Sequence, residues 1–333
     1  MAITQSAAPP QVTIWETTNA IVASRALHVV AELGVADHVG EQSVPVATLA
    51  AGCGIDPRSL DRVLRLLSSI GIFARRPDGY AHTDASQLLR SDAPGSMRAF
   101  ARMMNLRLIN ETFTELLHSV RSGEPAVNLV EPRGFWAYLT DHPDEARLFG
   151  KAMEARAAAY IAEVLAAYDF RRFTTIADIG GGLGHLLRAL LTAAPGATGI
   201  LFDLPEVVAA THVAVERLTT VAGDFFRDPL PRADLYIVME VLHDWDDHDC
   251  GRILSAIRRG AAPGATVAVV ENIVPETGDD PRVNVLDVLM LALTGGRERT
   301  ATELAELFGS SGFRLQAVIP TAGPMKIVEA VAV

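Results

Sequence analysis

The stretch Thr175-Ile-Ala-Asp-Ile-Gly-Gly-Gly-Leu-Gly-His-Leu-Leu, residues 175–187, decides the fold. Its first five residues are typical of a short buried strand, and the pattern that follows predicts a helix starting near Leu186. The glycines between them allow a tight turn in which the backbone approaches a ligand, and the helix N-terminus offers free N–H groups. The stretch therefore predicts the first strand, the ligand-binding loop and the first helix of an α/β sheet.

Apolar runs alternate with helical patterns through the rest of the chain. Four further runs indicate buried strands: Gly199–Asp203, Leu218–Ala222, Asp234–Met239 and Thr266–Val270. Two more candidate strands, Arg314–Ile319 and Lys326–Val333, close the chain. Short buried strands separated by helices predict a mainly parallel, doubly wound sheet. Because the pattern changes near residue 170, we expect this domain to occupy residues 171–333.

The first 170 residues carry helical patterns and little strand. A helix-turn-helix pattern between Val46 and Gly71 is followed by a short hairpin that turns at residues 77–79, which together give the outline of a winged helix. Further helices are predicted over Met97–Leu117, Gly134–Leu139 and Asp144–Tyr168. Residues 1–170 are therefore expected to form a separate, mainly helical, winged-helix-like domain.

The charge of the chain bears on which partners it can have. Among its 333 residues, 40 are acidic and 29 are basic, which gives a net charge of −11. A negative field repels phosphate backbones and anionic lipid, so the winged-helix outline is interpreted as a scaffold or dimer element. This interpretation holds although the second helix carries Arg58, Arg62 and Arg65. We expect neither nucleic acid nor a membrane as a partner.

The cysteines and the N-terminus indicate a compartment. Cys53 and Cys250 are the two cysteines, and no C-x-x-C motif is present, so a disulfide scaffold and a structural zinc site are excluded. Residues 1–10 lack the basic start and apolar run of a signal peptide. We therefore expect a cytoplasmic protein.

The glycine loop predicts a nucleoside cofactor. Asp203, at the end of the second strand, lies 21 residues after Gly182, where a carboxylate can hold both hydroxyls of a ribose. Asp178 directly precedes the glycines, a poor position beside a polyphosphate but a suitable one beside an ammonium or sulfonium group. This placement favours S-adenosylmethionine over a dinucleotide.

Five ordered motifs carry a family resemblance: Asp178-Ile-Gly-Gly-Gly-Leu-Gly, Phe202-Asp-Leu-Pro, Gly223-Asp-Phe-Phe, Leu242-His-Asp-Trp and Gly295-Gly-Arg-Glu-Arg-Thr. Together they resemble the class I S-adenosylmethionine-dependent O-methyltransferases of the plant caffeate and isoflavone type and their bacterial natural-product relatives, including polyketide and phenazine enzymes. The resemblance covers nearly the whole chain. It implies a Rossmann-like catalytic domain, an N-terminal domain that dimerises and caps the substrate, a homodimer and a small aromatic acceptor.

The resemblance also implies roles for individual residues. His243 matches the general base, Glu271 and Glu298 match the carboxylates that flank it, and Asp244 matches the neighbouring acid. The residues that match the cofactor site are Asp178, Gly180, Gly182, Gly184, Asp203, Leu204, Asp224, Phe225, Met239 and Trp245. The residues that fall where relatives line the acceptor pocket are Met104, Asn105, Met153, Asp287, Met290, Leu293 and Thr294.

Two positions depart from the plant pattern. Met239 stands where plant relatives often have a lysine, so that cofactor contact is lost or supplied otherwise. Leu293, beside Thr294, stands where they have a pocket asparagine, so acceptor recognition should differ.

The chemistry of the motif agrees with methyl transfer to oxygen. A phenol with a pKa near about 10 must lose its proton to become a good nucleophile, and a neutral imidazole is the usual base near neutral pH. His243 therefore fits as the base that prepares the acceptor. Three alternatives stay open here: a non-methylating reaction with bound S-adenosylmethionine (hydroxylation or cyclisation), methylation of nitrogen or carbon, and a winged-helix regulator.

The acidic residues around the Leu242-His-Asp-Trp motif could suggest a metal site. Asp244, Asp246, Asp247 and Asp249 cluster after a strand, where acids commonly favour a helix start. No metal is expected.

Overall fold

A seven-stranded sheet is built from the strands between Thr175 and Ala332. The computed structural model describes residues 9–211 and 215–333, apart from the side chain of Ala159. By compactness the chain divides into two units, one ending at Leu106 and one starting at Arg107. Residues 1–8, on which part of the localisation prediction depends, lie outside the described residues. None of the described helices is long and apolar enough to cross a membrane.

The first unit is helical with one hairpin. Its helices are α1 (Pro10–Leu33), α2 (Val46–Cys53), α3 (Pro57–Ser69), α4 (Asp84–Gln87) and α5 (Arg98–Met103), and its strands are β1 (Phe73–Arg76) and β2 (Gly79–His82). Asp56 caps α3 by accepting the N–H of Ser59. The strands pair in antiparallel register, with Phe73 opposite His82. The predicted helix, turn, helix and hairpin are all present.

The second unit begins with helices that precede the sheet. These are α6 (Arg107–Thr114), α7 (Leu116–Ser122), α8 (Val127–Val130), α9 (Gly134–Asp141) and α10 (Pro143–Ala167). The helical pattern predicted over Met97–Leu117 is divided among α5, α6 and the start of α7. At the first break the Asn105 side-chain amide donates to the Ala101 carbonyl, so the side chain competes with the helical backbone.

The sheet contains every strand that the sequence predicted. Its strands and helices in chain order are β3 (Thr175–Ile179), α11 (His185–Ala193), β4 (Thr198–Asp203), α12 (Pro205–Ala210), β5 (Leu218–Ala222), β6 (Leu235–Met239), α13 (Asp247–Gly260), β7 (Thr266–Asn272), α14 (Pro281–Leu293), α15 (Ala301–Ser310), β8 (Phe313–Pro320) and β9 (Met325–Ala332). The strand order is β5-β4-β3-β6-β7-β9-β8. All pairs are parallel except those of β9, which runs antiparallel to β7 and to β8.

This topology decides where a site can form. The strand order reverses between β3 and β6, and this position is the topological switch point: β4 and β5 follow β3 on one side of it, and β7 follows β6 on the other. In open α/β sheets, ligands bind beyond the carboxyl ends of the strands at such a point. Two apolar clusters, one on each face of the sheet, bury the strands and leave that edge for polar side chains.

The boundary expected near residue 170 coincides with the end of α10 and not with the division between the compact units. Helices α6 to α10 group with the sheet, in part because Val164 and Tyr168 lie in the same apolar cluster as Ile176. The assignment of residues 1–170 and 171–333 to different roles stays a prediction.

Candidate active site

Asp178 is a buried carboxyl group at the end of β3. Only 1% of the residue is exposed, and neither carboxylate oxygen has a hydrogen-bond partner among the described residues. Burial, together with the negative charge of Asp203, raises the pKa of Asp178 to about 7. Burying an ionised carboxylate without a partner costs free energy, so we expect a cationic group of a ligand to lie next to Asp178.

The glycine loop leaves open backbone beside this carboxyl group. Gly180, Gly182 and Gly184 have φ angles of 71°, 57° and 74°, a region that side chains disfavour. A Cβ on Gly181 would lie 2.6 Å from an Asp178 oxygen. That space is filled by the protein itself, whereas nothing lies within 4 Å of the position that a Cβ on Gly182 would take. The loop therefore leaves open space beside Gly182, where a ligand can approach the backbone.

Asp203 is tied to the same loop. One of its oxygens accepts the N–H of Gly182 at 2.7 Å, and the other accepts the N–H of Leu204 at 2.7 Å. Burial raises the pKa of Asp203, and these two N–H groups oppose that rise. Each oxygen keeps a second acceptor site, so the carboxylate can still hold two hydroxyls.

Aromatic side chains line the next part of the edge. The Phe225 ring, after β5, meets the Trp245 ring edge-on at 5.9 Å between centroids, and the Phe226 ring does so at 4.7 Å. The Asp224 carboxylate accepts the N–H of Phe226, which fixes the turn. Met239, half-buried, ends β6. An unpaired carboxyl group, acceptor oxygens and aromatic side chains, in this order, fit the cationic tail, the ribose and the adenine of S-adenosylmethionine.

His243 lies in a short 3₁₀ turn, Leu242–Asp244, just beyond β6. Its Nδ1 lies 2.7 Å from Oε1 of Glu298, and its backbone N–H donates to Oε1 of Glu271 at 3.1 Å. Since a carboxylate only accepts, Nδ1 carries a hydrogen and Nε2 is the atom that can take up a proton.

Carboxyl groups surround this imidazole and make it a stronger base. Burial disfavours the charged ring, but Asp244, Glu298 and Glu271 outweigh burial and raise the pKa of His243 to about 10. Nε2 is 3.8 Å from Oδ1 of Asp244. Burial likewise raises the pKa of Asp244 and of Glu271 to about 7, although His243 lowers both. The four predicted catalytic residues therefore form one electrostatic cluster.

Arg299 fixes the backbone on both sides of the base, a role that the sequence did not predict. Its guanidinium is fully buried and donates to the carbonyls of Leu242, at 3.0 Å, and Trp245, at 2.7 Å. It also bonds the Asp247 carboxylate at 2.9 Å. The position follows Glu298 in the quoted motif, which is the one signal that could have identified it.

Gly296 packs closely against the backbone of His243 and Asp244. A Cβ at this position would overlap the carbonyl oxygen of His243 and the backbone of Asp244. The second glycine of the Gly295-Gly296 pair therefore lets the two segments of the site meet.

Asp287, predicted in the acceptor pocket, contacts the catalytic cluster. Its Oδ1 accepts the backbone N–H of Glu298 at 2.8 Å. A chain of polar contacts thus runs from Asp287 through Glu298 to His243.

The other predicted acceptor-pocket residues lie on or directly after three helices, α5, α10 and α14. Met153 is on α10, Met290 and Leu293 are buried near the end of α14, and the Thr294 hydroxyl donates to the Met290 carbonyl. In the first compact unit, Met104 directly follows α5, and the Asn105 side chain accepts from Arg25 at 3.0 Å. Their contact with an acceptor stays a prediction.

The acids after the motif have ordinary structural roles. Asp246 caps α13 through the N–H of Asp249, and Asp249 pairs with Arg252. Asp247 pairs with Arg297 and Arg299.

Glu240 is a feature that no sequence pattern indicated. Among the described residues it is the one non-glycine with positive φ, 51°. Its carboxylate lies 2.5 Å from the Arg156 guanidinium of α10, with both side chains mostly buried. A strained residue three positions before the base is typical of a functional site.

Comparisons with known proteins agree with this geometry. A family model described as the O-methyltransferase domain matches residues 113–314, and one described as the O-methyltransferase dimerisation domain matches residues 15–92. Phenazine O-methyltransferase PhzM of Lysobacter antibioticus is 39% identical over 315 residues, 92% of each chain. The crystal structure of LaPhzM superposes with a TM-score of 0.93 at 37% identity, covering 98% of this chain and 100% of that one. The O-methyltransferase NcsB1, in complex with S-adenosylmethionine and 2-hydroxy-5-methyl naphthoic acid, superposes with a TM-score of 0.79 at 33% identity, covering 93% and 96%.

Proposed function

Because the chain belongs to the S-adenosylmethionine-dependent O-methyltransferase family, we propose that it methylates a hydroxyl of a small aromatic natural product with His243 as the general base. The observation that carries this proposal is the buried His243–Glu298 contact of 2.7 Å beside the glycine loop. The relatives named above, which act on a phenazine or bind a naphthoic acid, support an aromatic acceptor.

The cofactor, when bound, supplies a methyl group that its sulfonium has already activated. Gly180, Gly182 and Gly184 are proposed to hold its methionyl part, with the Asp178 carboxylate facing the cationic end. Asp203 is proposed to hold the ribose hydroxyls. Holding both reactants in line supplies most of the rate in such a displacement.

The adenine is proposed to be enclosed by five residues near the ends of β4, β5 and β6: Leu204, Asp224, Phe225, Met239 and Trp245. The edge-on packing of Phe225 on Trp245 supports a rigid aromatic wall at this end of the cleft. Such a wall excludes water from the adenine faces.

The protein's own part in the chemistry is a proton transfer. Nε2 of neutral His243 accepts the proton of the acceptor hydroxyl, and Glu298 stabilises the imidazolium that forms. Glu271 holds the backbone N–H of His243, and Asp244 adds negative charge at Nε2. Because the surrounding carboxyl groups raise the pKa of His243 towards that of a phenol, they lower the free-energy cost of this transfer.

Replacement of the base tests the assignment. We expect His243→Ala to lower turnover about 10³-fold with an accepted phenol, while the dissociation constant of S-adenosylhomocysteine stays unchanged. His248→Ala, an exposed histidine five positions later, is the matched control. Formation of one S-adenosylhomocysteine per methylated product, measured by mass spectrometry, separates methyl transfer from hydroxylation or cyclisation; unchanged turnover in His243→Ala would refute the assignment.

A homodimer is the second part of the proposal. The first unit matches a dimerisation domain, and α1 exposes large apolar side chains, among them Ile14, Trp15, Ile21 and Val22. Exposed apolar surface of this extent is typical of a protein interface. We expect a dimer in sedimentation at micromolar concentration and a shift to monomer in an Ile14→Glu/Ile21→Glu variant; a monomeric parent chain would contradict the proposal.

Two further assignments belong to the same proposal. Residues 1–170 dimerise and cap the acceptor, and residues 171–333 bind the cofactor. A cytoplasmic location is supported by the free thiols of Cys53 and Cys250, and the net charge of −11 supports the absence of nucleic-acid and membrane partners.

A further inference from the structure

Helix α9 touches two separate parts of the sheet edge through one of its faces. The Trp136 ring stacks on the Trp245 ring at 6.4 Å between centroids and 22° between planes. The Thr140 hydroxyl donates to Oε1 of Glu206 at 2.9 Å. Trp136 and Thr140 are four residues apart, so both side chains leave the helix on the same side.

These two contacts lie on opposite sides of the glycine loop. Trp245 follows β6, and Glu206 is in α12, directly after β4. Strand β3, whose end holds Asp178 and the loop, lies between β4 and β6. The span from β4 to β6 is about 10 Å, and four helical residues rise about 6 Å, so two side chains suffice to bridge it. Helix α9 therefore crosses the carboxyl edge at the loop.

The Trp136 side chain also has an unused donor. Its ring is held edge-on by Phe135 at 5.2 Å and Phe149 at 5.9 Å, yet its Nε1 is buried without a hydrogen-bond partner among the described residues. An indole N–H can only donate, and a buried one usually finds an acceptor. A rigidly held, unpartnered donor next to Trp245 points to a bound ligand as its partner.

We propose that α9 is part of the cofactor site: Trp136 binds the adenosine end together with Trp245, and the Thr140–Glu206 hydrogen bond closes the helix over it. This inference rests on the proposed roles of Asp203 and Trp245 in binding the cofactor. It adds a side to the site that the glycine loop and the strand ends leave open. Opening the Thr140–Glu206 contact then becomes a step in cofactor release.

Binding of S-adenosylhomocysteine tests the proposal without any acceptor. We expect Thr140→Val, which keeps the shape and removes the hydroxyl, to raise the dissociation constant about fivefold in calorimetry, mainly through faster dissociation in stopped-flow fluorescence. Trp136→Phe should weaken binding severalfold through loss of the N–H, and Trp136→Ala at least about tenfold. Tyr138→Phe, on the opposite side of the same helix, should leave binding unchanged.

The outcomes separate this inference from the proposed function. Asp203→Ala should weaken binding in any case, and if it does not, the cofactor site itself is assigned wrongly. If Asp203→Ala weakens binding while Thr140→Val and Trp136→Phe bind as the parent chain does, the role of α9 is refuted. A raised KM for the acceptor with unchanged S-adenosylhomocysteine affinity also refutes it, because Trp136 would then belong to the acceptor pocket. Melting temperatures of the free variants exclude misfolding as the cause.

Discussion

Replacing Asp178 by Asn should make the unfolding free energy of the cofactor-free protein depend less on pH. It should also lower the affinity for S-adenosylhomocysteine. The Asp178 carboxyl is buried without a partner, and its pKa rises from 3.8 to about 7. The native state therefore binds more protons than the unfolded chain between about pH 4 and pH 7. Stability consequently falls as pH rises through that window.

The size of the effect follows from the shift. Each pKa unit corresponds to about 1.4 kcal/mol, so ionising Asp178 costs the native state about 4 kcal/mol once the pH is above 7. About 2 kcal/mol of this is lost between pH 5.5 and pH 7. An unpartnered amide in Asp178→Asn costs about 1–3 kcal/mol, but at every pH alike. The unfolding free energy of Asp178→Asn minus that of the parent chain should therefore increase by about 2 kcal/mol between pH 5.5 and pH 8.

Urea unfolding of the cofactor-free protein at the two pH values measures this difference. Asp279→Asn, in an exposed loop, is the control and should show no such movement. Calorimetry at pH 8 should show weaker binding of S-adenosylhomocysteine to Asp178→Asn, because the variant lacks the carboxylate that is proposed to face the cationic end of the ligand. A stability difference that is the same at both pH values, or an unchanged affinity, would refute the reasoning.

Three further perturbations test the catalytic cluster. In the parent chain kcat/KM should rise with pH up to about pH 10, because only neutral His243 can accept a proton. In Glu298→Gln this rise should occur about one pH unit lower, and kcat should fall about 10²-fold. An unchanged pH profile in that variant would contradict the pairing of Glu298 with His243. Asp287→Ala should lower kcat about tenfold while leaving the S-adenosylhomocysteine affinity unchanged, since it releases only the Glu298 backbone; Asp287→Asn, which keeps the acceptor oxygen, should retain most activity in the same assays. Gly296→Ala should lower both the melting temperature and turnover, because its Cβ overlaps the His243 carbonyl, and a fully active, equally stable variant would show that the loop can shift.

The sequence was sufficient for the sheet because each strand is a short apolar run bounded by turn residues. Thr175–Ile179 and Leu218–Ala222 have the predicted bounds, and the other strands agree within two residues. The helices before the sheet were less predictable. Around Asn105 the helical pattern continues in the sequence, but a side-chain hydrogen bond ends the helix.

Within the site, motif residues were predictable and contacts between motifs were not. His243 and Glu298 are 55 positions apart, and their pairing follows from a fold that the motifs themselves identify. The ion pair between Glu240 and Arg156 could not be predicted from the sequence. Neither the left-handed backbone of Glu240 nor a contact between distant elements produces a recognisable sequence pattern. The resemblance implies an acceptor-pocket position for Asp287, which stays a prediction, and it does not indicate the hydrogen bond that Asp287 accepts from the Glu298 backbone.

Arg299 has a consequence for how such an enzyme can diversify. Its guanidinium joins the carbonyls of Leu242 and Trp245, on either side of His243, to Asp247 at the start of α13. The 3₁₀ turn Leu242–Asp244 and Trp245 are therefore held together as one backbone unit. Substitutions that leave this backbone unit intact can then change which acceptor is bound without altering the proposed geometry of proton removal. A chain built in this way separates the inherited reaction from the variable choice of molecule on which it acts.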